Sequence, residues 1–144
     1  MEIAIVGSGR VGTALGILWQ AAEHNVVAAA GSERTERRVR EHLPETEFLP
    51  SAEAAARGEV VVIGVPDDAI EAVCREIVGS VGAEQTVLHL SGSVSLGALA
   101  HPRMRHGEVR IVDLLVTVEE EIEVDRARSE PLRANAAEFG LDTL

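Results

Sequence analysis

The sequence predicts an α/β fold, a doubly wound and mainly parallel sheet with helices on both faces. Three observations carry the prediction. Short apolar runs of strand length alternate with segments of helix-type periodicity. The connections between them are short, which implies right-handed crossovers. The strongest run, Val60-Val61-Val62-Ile63-Gly64-Val65, is apolar on both faces, as a central parallel strand must be.

The elements follow in order. Ile3 to Val6 is a first strand, and a helix follows with Val11, Ala14, Leu15, Leu18, Trp19 and Ala22 at the spacing of one face. Asn25 to Ala30 reads as a second buried strand. Arg34 to Leu43 is a charged helix ending before Pro44, and Glu47-Phe48-Leu49 is a short third strand. Ser51 can cap a small helix over Ala52 to Arg57, with Gly58 as its stop. Pro66 closes the Val60 strand, and Asp67 or Asp68 can cap a helix whose buried stripe is Ile70, Val73, Ile77 and Val78. Thr86 to Leu90 is a strand closed by Ser91-Gly92-Ser93. A short helix around Ser95 to Ala100 and a strand near Val109 to Leu115 come next. Glu119 to Glu130 is acid-rich and reads as an edge strand or a loop, and Ser129 to Phe139 as a terminal helix stopped by Gly140. Residues 1–118 are the expected domain, with 119–144 packed on it.

Composition narrows the function. A length of 144 residues fits one domain with a real core, built from Ala, Val, Leu and Ile because Trp19, Phe48 and Phe139 are the only aromatics. A net charge of −11 argues against nucleic acid or an anionic membrane as partner. All 13 basic residues are Arg, which removes any mechanism using a lysine as acid, base or Schiff-base former. Cys74 is the only cysteine, so no intramolecular disulfide and no thiolate metal cluster is expected. No signal peptide or membrane span is visible, and the expected compartment is the cytoplasm.

The first strand runs directly into Gly7-Ser8-Gly9-Arg10-Val11-Gly12, the G-x-G-x-x-G pattern in its strand–turn–helix setting. Gly7 allows the tight turn, Gly9 lets the backbone approach a diphosphate, and Gly12 lets the helix pack close to the strand. The helix then offers unpaired N–H groups and the positive end of its dipole to phosphates. Four loops converge at the carboxyl ends of the strands: Gly7 to Gly12, Gly31 to Thr35, Val65-Pro66-Asp67 and Ser91-Gly92-Ser93. No acid closes the second strand. Ser32 and Arg34 suit a ribose 2′-phosphate, favouring NADP, whereas Glu33 could accept from a free 2′-OH, so NAD stays open. Val65, Pro66 and Asp67 would pass beside the ribose and nicotinamide, and Ser91-Gly92-Ser93, with Ser91 foremost, could hydrogen-bond the carboxamide or a substrate. Each of these segments also has a plain reading, as a helix start or a strand-end turn. His89 reads as a satisfied interior histidine, His101 and His106 as exposed loop residues, and Cys74 as packing.

Three segments resemble the N-terminal Rossmann-like domain of the 6-phosphogluconate dehydrogenase-like superfamily. They are Ile5 to Leu15, Val62 to Ile70 (V-I-G-V-P-D-D-A-I) and His89 to Leu96 (H-L-S-G-S-V-S-L). The superfamily includes pyrroline-5-carboxylate reductase and the NADP-dependent F420 oxidoreductases. The third segment is most similar to a poorly characterised family that joins such a domain to a C-terminal helical domain of unknown function. The resemblance covers about residues 1–100 and implies NADP held by the glycine loop, the Ser32 to Arg34 region and the Val65 to Asp67 turn. Two departures stand out. Glu33 intervenes between Ser32 and Arg34, and Val112-Asp113-Leu114-Leu115 stands where the family carries His-Pro-Leu, so no catalytic residue is carried over. The helical domain that in related enzymes closes the substrate pocket and builds the dimer has no counterpart in these residues.

The expectation is an NADP(H)-binding domain of an oxidoreductase acting on a small molecule, with a homodimer left open. A non-catalytic nucleotide-sensing or scaffold module, or a truncated reductase, are the alternatives. No catalytic residue and no metal site are assigned.

Overall fold

The inner strands are too apolar to face water on either side, and helices between them cover both faces, which builds a parallel sheet. A computed structural model describes residues 1–82, 84–99 and 110–113. Six strands form one sheet: β1 (Glu2–Val6), β2 (Asn25–Ala30), β3 (Glu47–Phe48), β4 (Val60–Ile63), β5 (Thr86–His89) and β6 (Arg110–Asp113). Their order is β3-β2-β1-β4-β5-β6, and every neighbouring pair is parallel. The chain winds outward from β1 to β3, then returns to β4 on the other side of β1. The strand order therefore reverses between β1 and β4, where α/β sheets open a crevice at their carboxyl ends.

Helices cover both faces. Side chains of Ala4, Val6, Val61, Ile63 and Val87 meet Ala54 and Ala55 of α3 (Ser51–Ala55) and Ile70, Cys74 and Ile77 of α4 (Ile70–Ile77). On the other face Ile3, Ile5, Val62 and Leu88 meet Val39 of α2 (Glu33–His42), Leu43, and Ile17 and Trp19 of α1 (Arg10–Ala21). Pairing of β1 with β2 shifts by one residue between Ile3 and Ala4, which opposes Ala4 to Ala28 rather than Val27. With a side-chain period of two, that extra residue lets Val26 and Ala28 face opposite sides of the sheet.

Several local expectations change. The most buried residues of α1 are Gly12, Thr13 and Gly16, not the Val11–Leu15–Leu18 stripe, and Val11 is 46% exposed. The reason is steric: a Cβ on Gly16 would lie 2.8 Å from Leu43 Cδ1 and 3.1 Å from Ile5 Cδ1, so small residues let the helix sit close to the sheet. Pro50 rather than Ser51 occupies the N-cap of α3, with no side-chain cap. Gly58 does not end that helix in a left-handed turn. A Cβ there would fall 2.6 Å from the Ala4 nitrogen, so it is glycine because β1 passes against it.

The predicted short helix after β5 is a 3-10 turn, Leu96–Leu99. His101, His106, the acidic run Glu119 to Glu130, the helix Ser129 to Phe139 and the whole 119–144 segment lie outside the described residues. Among the described residues, no helix is long and apolar enough to cross a membrane.

Candidate functional site

The turn leaving β1 is drawn against the ends of its two neighbours. Gly7 N–H and Ser8 N–H both donate to the Ala30 carbonyl of β2, at 2.9 and 3.0 Å, and Gly64 N–H donates to Val6 at 2.8 Å. Gly7 adopts φ +88°, a conformation glycine accepts without cost. Gly64 permits the close approach from the β4 side, since a Cβ there would sit 2.8 Å from the Gly7 oxygen. A Cβ on Gly12 would fall 3.1 Å from the same oxygen and from Ile5 Cγ2.

Helix α1 then begins with its donors free. Thr13 N–H is the first to find a helical acceptor, Gly9 O at 2.9 Å, while Gly9 N–H closes back on Gly7 O at 2.8 Å. The N–H groups of Arg10, Val11 and Gly12 have no acceptor among the described residues. No acidic side chain stands in this first turn, and no side chain caps it. Gly9 has φ −65°, and a Cβ built on it meets nothing within 4 Å. The helix thus presents unpaired amides beside open space, the chemistry that accepts an anion.

Ser8 departs from the expectation of a ligand contact. It is fully buried, and its hydroxyl joins both amides on the Ala30 carbonyl at 3.1 Å. Thr13, which the sequence reading passed over, completes the support by donating Oγ1–H to Ser8 O at 3.0 Å. Its place one residue after the third glycine was the available signal. Replacing Thr13 with valine is expected to lower unfolding free energy by about 1–2 kcal/mol, the scale of one buried hydrogen bond whose acceptor is left unpaired. Denaturant titration measures it, and an unchanged midpoint would count against this support.

At the end of β2, Gly31, Ser32, Glu33 and Arg34 are all exposed. Ser32 occupies the N-cap of α2, but its carbonyl does the work, accepting Thr35 Oγ1–H at 2.7 Å and the Thr35 and Glu36 amides at 2.9 Å. Its hydroxyl is uncommitted. Arg34 forms no ion pair among the described residues, unlike Arg40, which is held by Glu36.

Beyond β4, Val65 lies against Gly7, and Pro66 and Asp67 are exposed. Asp67 starts a 3-10 turn (Asp67–Ala69) leading into α4 but does not cap it. Its carboxylate instead accepts the Ser93 hydroxyl, across to the loop after β5. The Ser93 hydroxyl bonded to it, and Ser91 next in that chain, hold it below the usual carboxylate range, with a smaller contribution from nearby His89. Ser93 lies in the Ser91-Gly92-Ser93 loop expected at this crevice, and the structure pairs it with Asp67. His89 is 1% exposed, yet it is not the fully satisfied histidine expected. Nδ1 accepts Ser91 N–H at 3.3 Å, and Nε2 has no partner among the described residues. Cys74 is buried in packing as expected, which pushes its thiol up to about 11.

Fold and loop together define a doubly wound α/β domain with a glycine turn at its strand-order reversal. The chain belongs to the Rossmann-like domain family, whose model matches residues 1–112. Solved structures share the fold. A candidate NADP oxidoreductase of Bacteroides fragilis is 19% identical over 78% of this chain and 42% of its own, with a TM-score of 0.64. The NADH-preferring ketol-acid reductoisomerase of an uncultured archean is 22% identical, covering 78% of this chain and 34% of its own, with a TM-score of 0.65. An imine reductase of Myxococcus stipitatus, solved with NAD+, is 16% identical over 78% and 39%, with a TM-score of 0.62. The chain therefore spans about two-fifths of their length or less. No curated protein sequence matches it.

Proposed function

We propose that this chain is the NADP(H)-binding domain of an oxidoreductase acting on a small-molecule substrate. The observation that carries the reading is the open start of α1, where the Arg10, Val11 and Gly12 amides are unpaired beside a Gly9 with free space above it. Naming of several fold neighbours for nicotinamide dinucleotides supports it.

In this reading Gly7 and Gly9 shape the cradle, and the amides of Arg10, Val11 and Gly12 hold the diphosphate. Ser8 acts inward, fixing the turn on β2. The free hydroxyl of Ser32 and the unpaired guanidinium of Arg34 receive the 2′-phosphate, while Val65, Pro66, Asp67 and Ser91 flank the nicotinamide end. The dinucleotide, when bound, supplies hydride chemistry; the chain's contribution is position and field.

Calorimetry with NADP+, NADPH, NAD+ and NADH tests the reading. The phosphorylated forms are expected to bind more tightly, and no heat with any of the four would overturn it. Arg34→Ala is expected to weaken NADPH about tenfold, the scale of one charge-assisted hydrogen bond, and leave NADH unchanged. Equal losses for both would remove Arg34 from the phosphate site.

A further inference from the structure

The loop after β5 carries hydroxyl hydrogens whose directions can be fixed by counting. Ser91 Oγ accepts Ser93 N–H at 3.2 Å and Val94 N–H at 3.1 Å, which occupies both of its lone pairs. Its own hydrogen can only be donated, and Ser93 Oγ lies 3.4 Å away. Ser93 in turn gives its hydrogen to Asp67 Oδ2. Both hydrogens therefore run toward the carboxylate. What remains open is one lone pair on Ser93 and the uncommitted lone pairs of Asp67.

Among the described residues, the floor adds no donor toward Ser91. His89 turns Nδ1 toward the Ser91 amide as acceptor, and its buried Nε2 has no partner among the described residues. No cation pairs with Asp67 among the described residues. Asp67 and Ser93 are both exposed, at the carboxyl ends of adjacent strands. The rim of the crevice thus carries an acceptor-only, negatively charged array.

We propose that Asp67, Ser93 and Ser91 form a subsite for a ligand nitrogen that carries hydrogen, and that it disfavours carboxylate groups. The nitrogen is either the carboxamide amine of the dinucleotide or an ammonium or iminium group of the substrate. The first source rests on the dinucleotide reading above; the second does not.

Two arms separate the sources. In calorimetry, NADP+ is compared with its 3-acetylpyridine analogue, in which a methyl replaces the carboxamide amine. If the carboxamide is held, the analogue binds the wild type about tenfold more weakly, the scale of one charge-assisted hydrogen bond, and Asp67→Asn erases the difference. In the second arm, propylamine and propionate are titrated into the 15N-labelled chain, with and without NADP+. If a substrate nitrogen is held, propylamine shifts the Ser93 and Val94 amides saturably, propionate does not, and Asp67→Asn abolishes the response. Asp67 is exposed, so the variant should fold, and an unchanged unfolding midpoint verifies this.

A positive result in either arm supports the subsite. It is overturned if analogue and parent bind alike and propylamine shifts the amides no more than propionate. A wild type that binds no dinucleotide refutes the dinucleotide reading, while the nucleotide-free amine arm still decides the subsite.

Discussion

Gly7→Ala is expected to destabilise the protein by about 2–5 kcal/mol, combining a left-handed backbone penalty with overpacking. At φ +88° an added Cβ would overlap Val65 Cγ1 and stand 2.9 Å from the Gly64 carbon and the Val65 nitrogen. Two of those three atoms are backbone of the chain leaving β4, so a rotamer change cannot make room. Such a loss is a large share of the roughly 5–15 kcal/mol that holds a typical domain together. Chemical denaturation measures it, and a shift under about 1 kcal/mol would contradict the packing described at this turn.

Gly9→Ala is expected to do the reverse. Its backbone conformation is open to any residue, and the new methyl group meets nothing within 4 Å. The cost in stability should stay below about 1 kcal/mol, the range of N-cap substitutions. Affinity for NADPH should nevertheless fall about a hundredfold. The methyl would occupy the space a diphosphate needs to reach the amides, costing one or two charge-assisted hydrogen bonds. Calorimetry beside a denaturant curve separates the two glycines. Unchanged affinity in the Gly9 variant would mean that the open space above the turn is not where phosphate lies.

The contrast shows what could be read from the sequence. The alternation of apolar runs with helical periodicity located all six strands, because burial on both faces leaves an unmistakable composition in β1, β2 and β4. The glycine turn was legible for a similar reason: its residue type answers a local backbone demand. The buried side of α1 was not. Periodicity detects large apolar residues, whereas Gly12, Thr13 and Gly16 achieve close packing by being small. Ser8 misled for a related reason, since a polar side chain in a ligand motif gives no sign that it points inward. The Asp67–Ser93 bond joins residues 26 apart in the chain, on loops that only the sheet order makes neighbours. The convergence of the two loops follows from the fold class, but no local pattern says that these two side chains bond. That Nε2 of His89 finds no partner among the described residues is likewise a property of its surroundings rather than of its strand.

Trp19 sits half-buried against the core on α1, the helix whose first turn opens on the crevice, and the chain has no tyrosine and no second tryptophan. Its indole is therefore a built-in optical reporter for one helix. Emission from this single fluorophore overlaps the absorbance of a reduced nicotinamide, so quenching by energy transfer would register occupancy without any label.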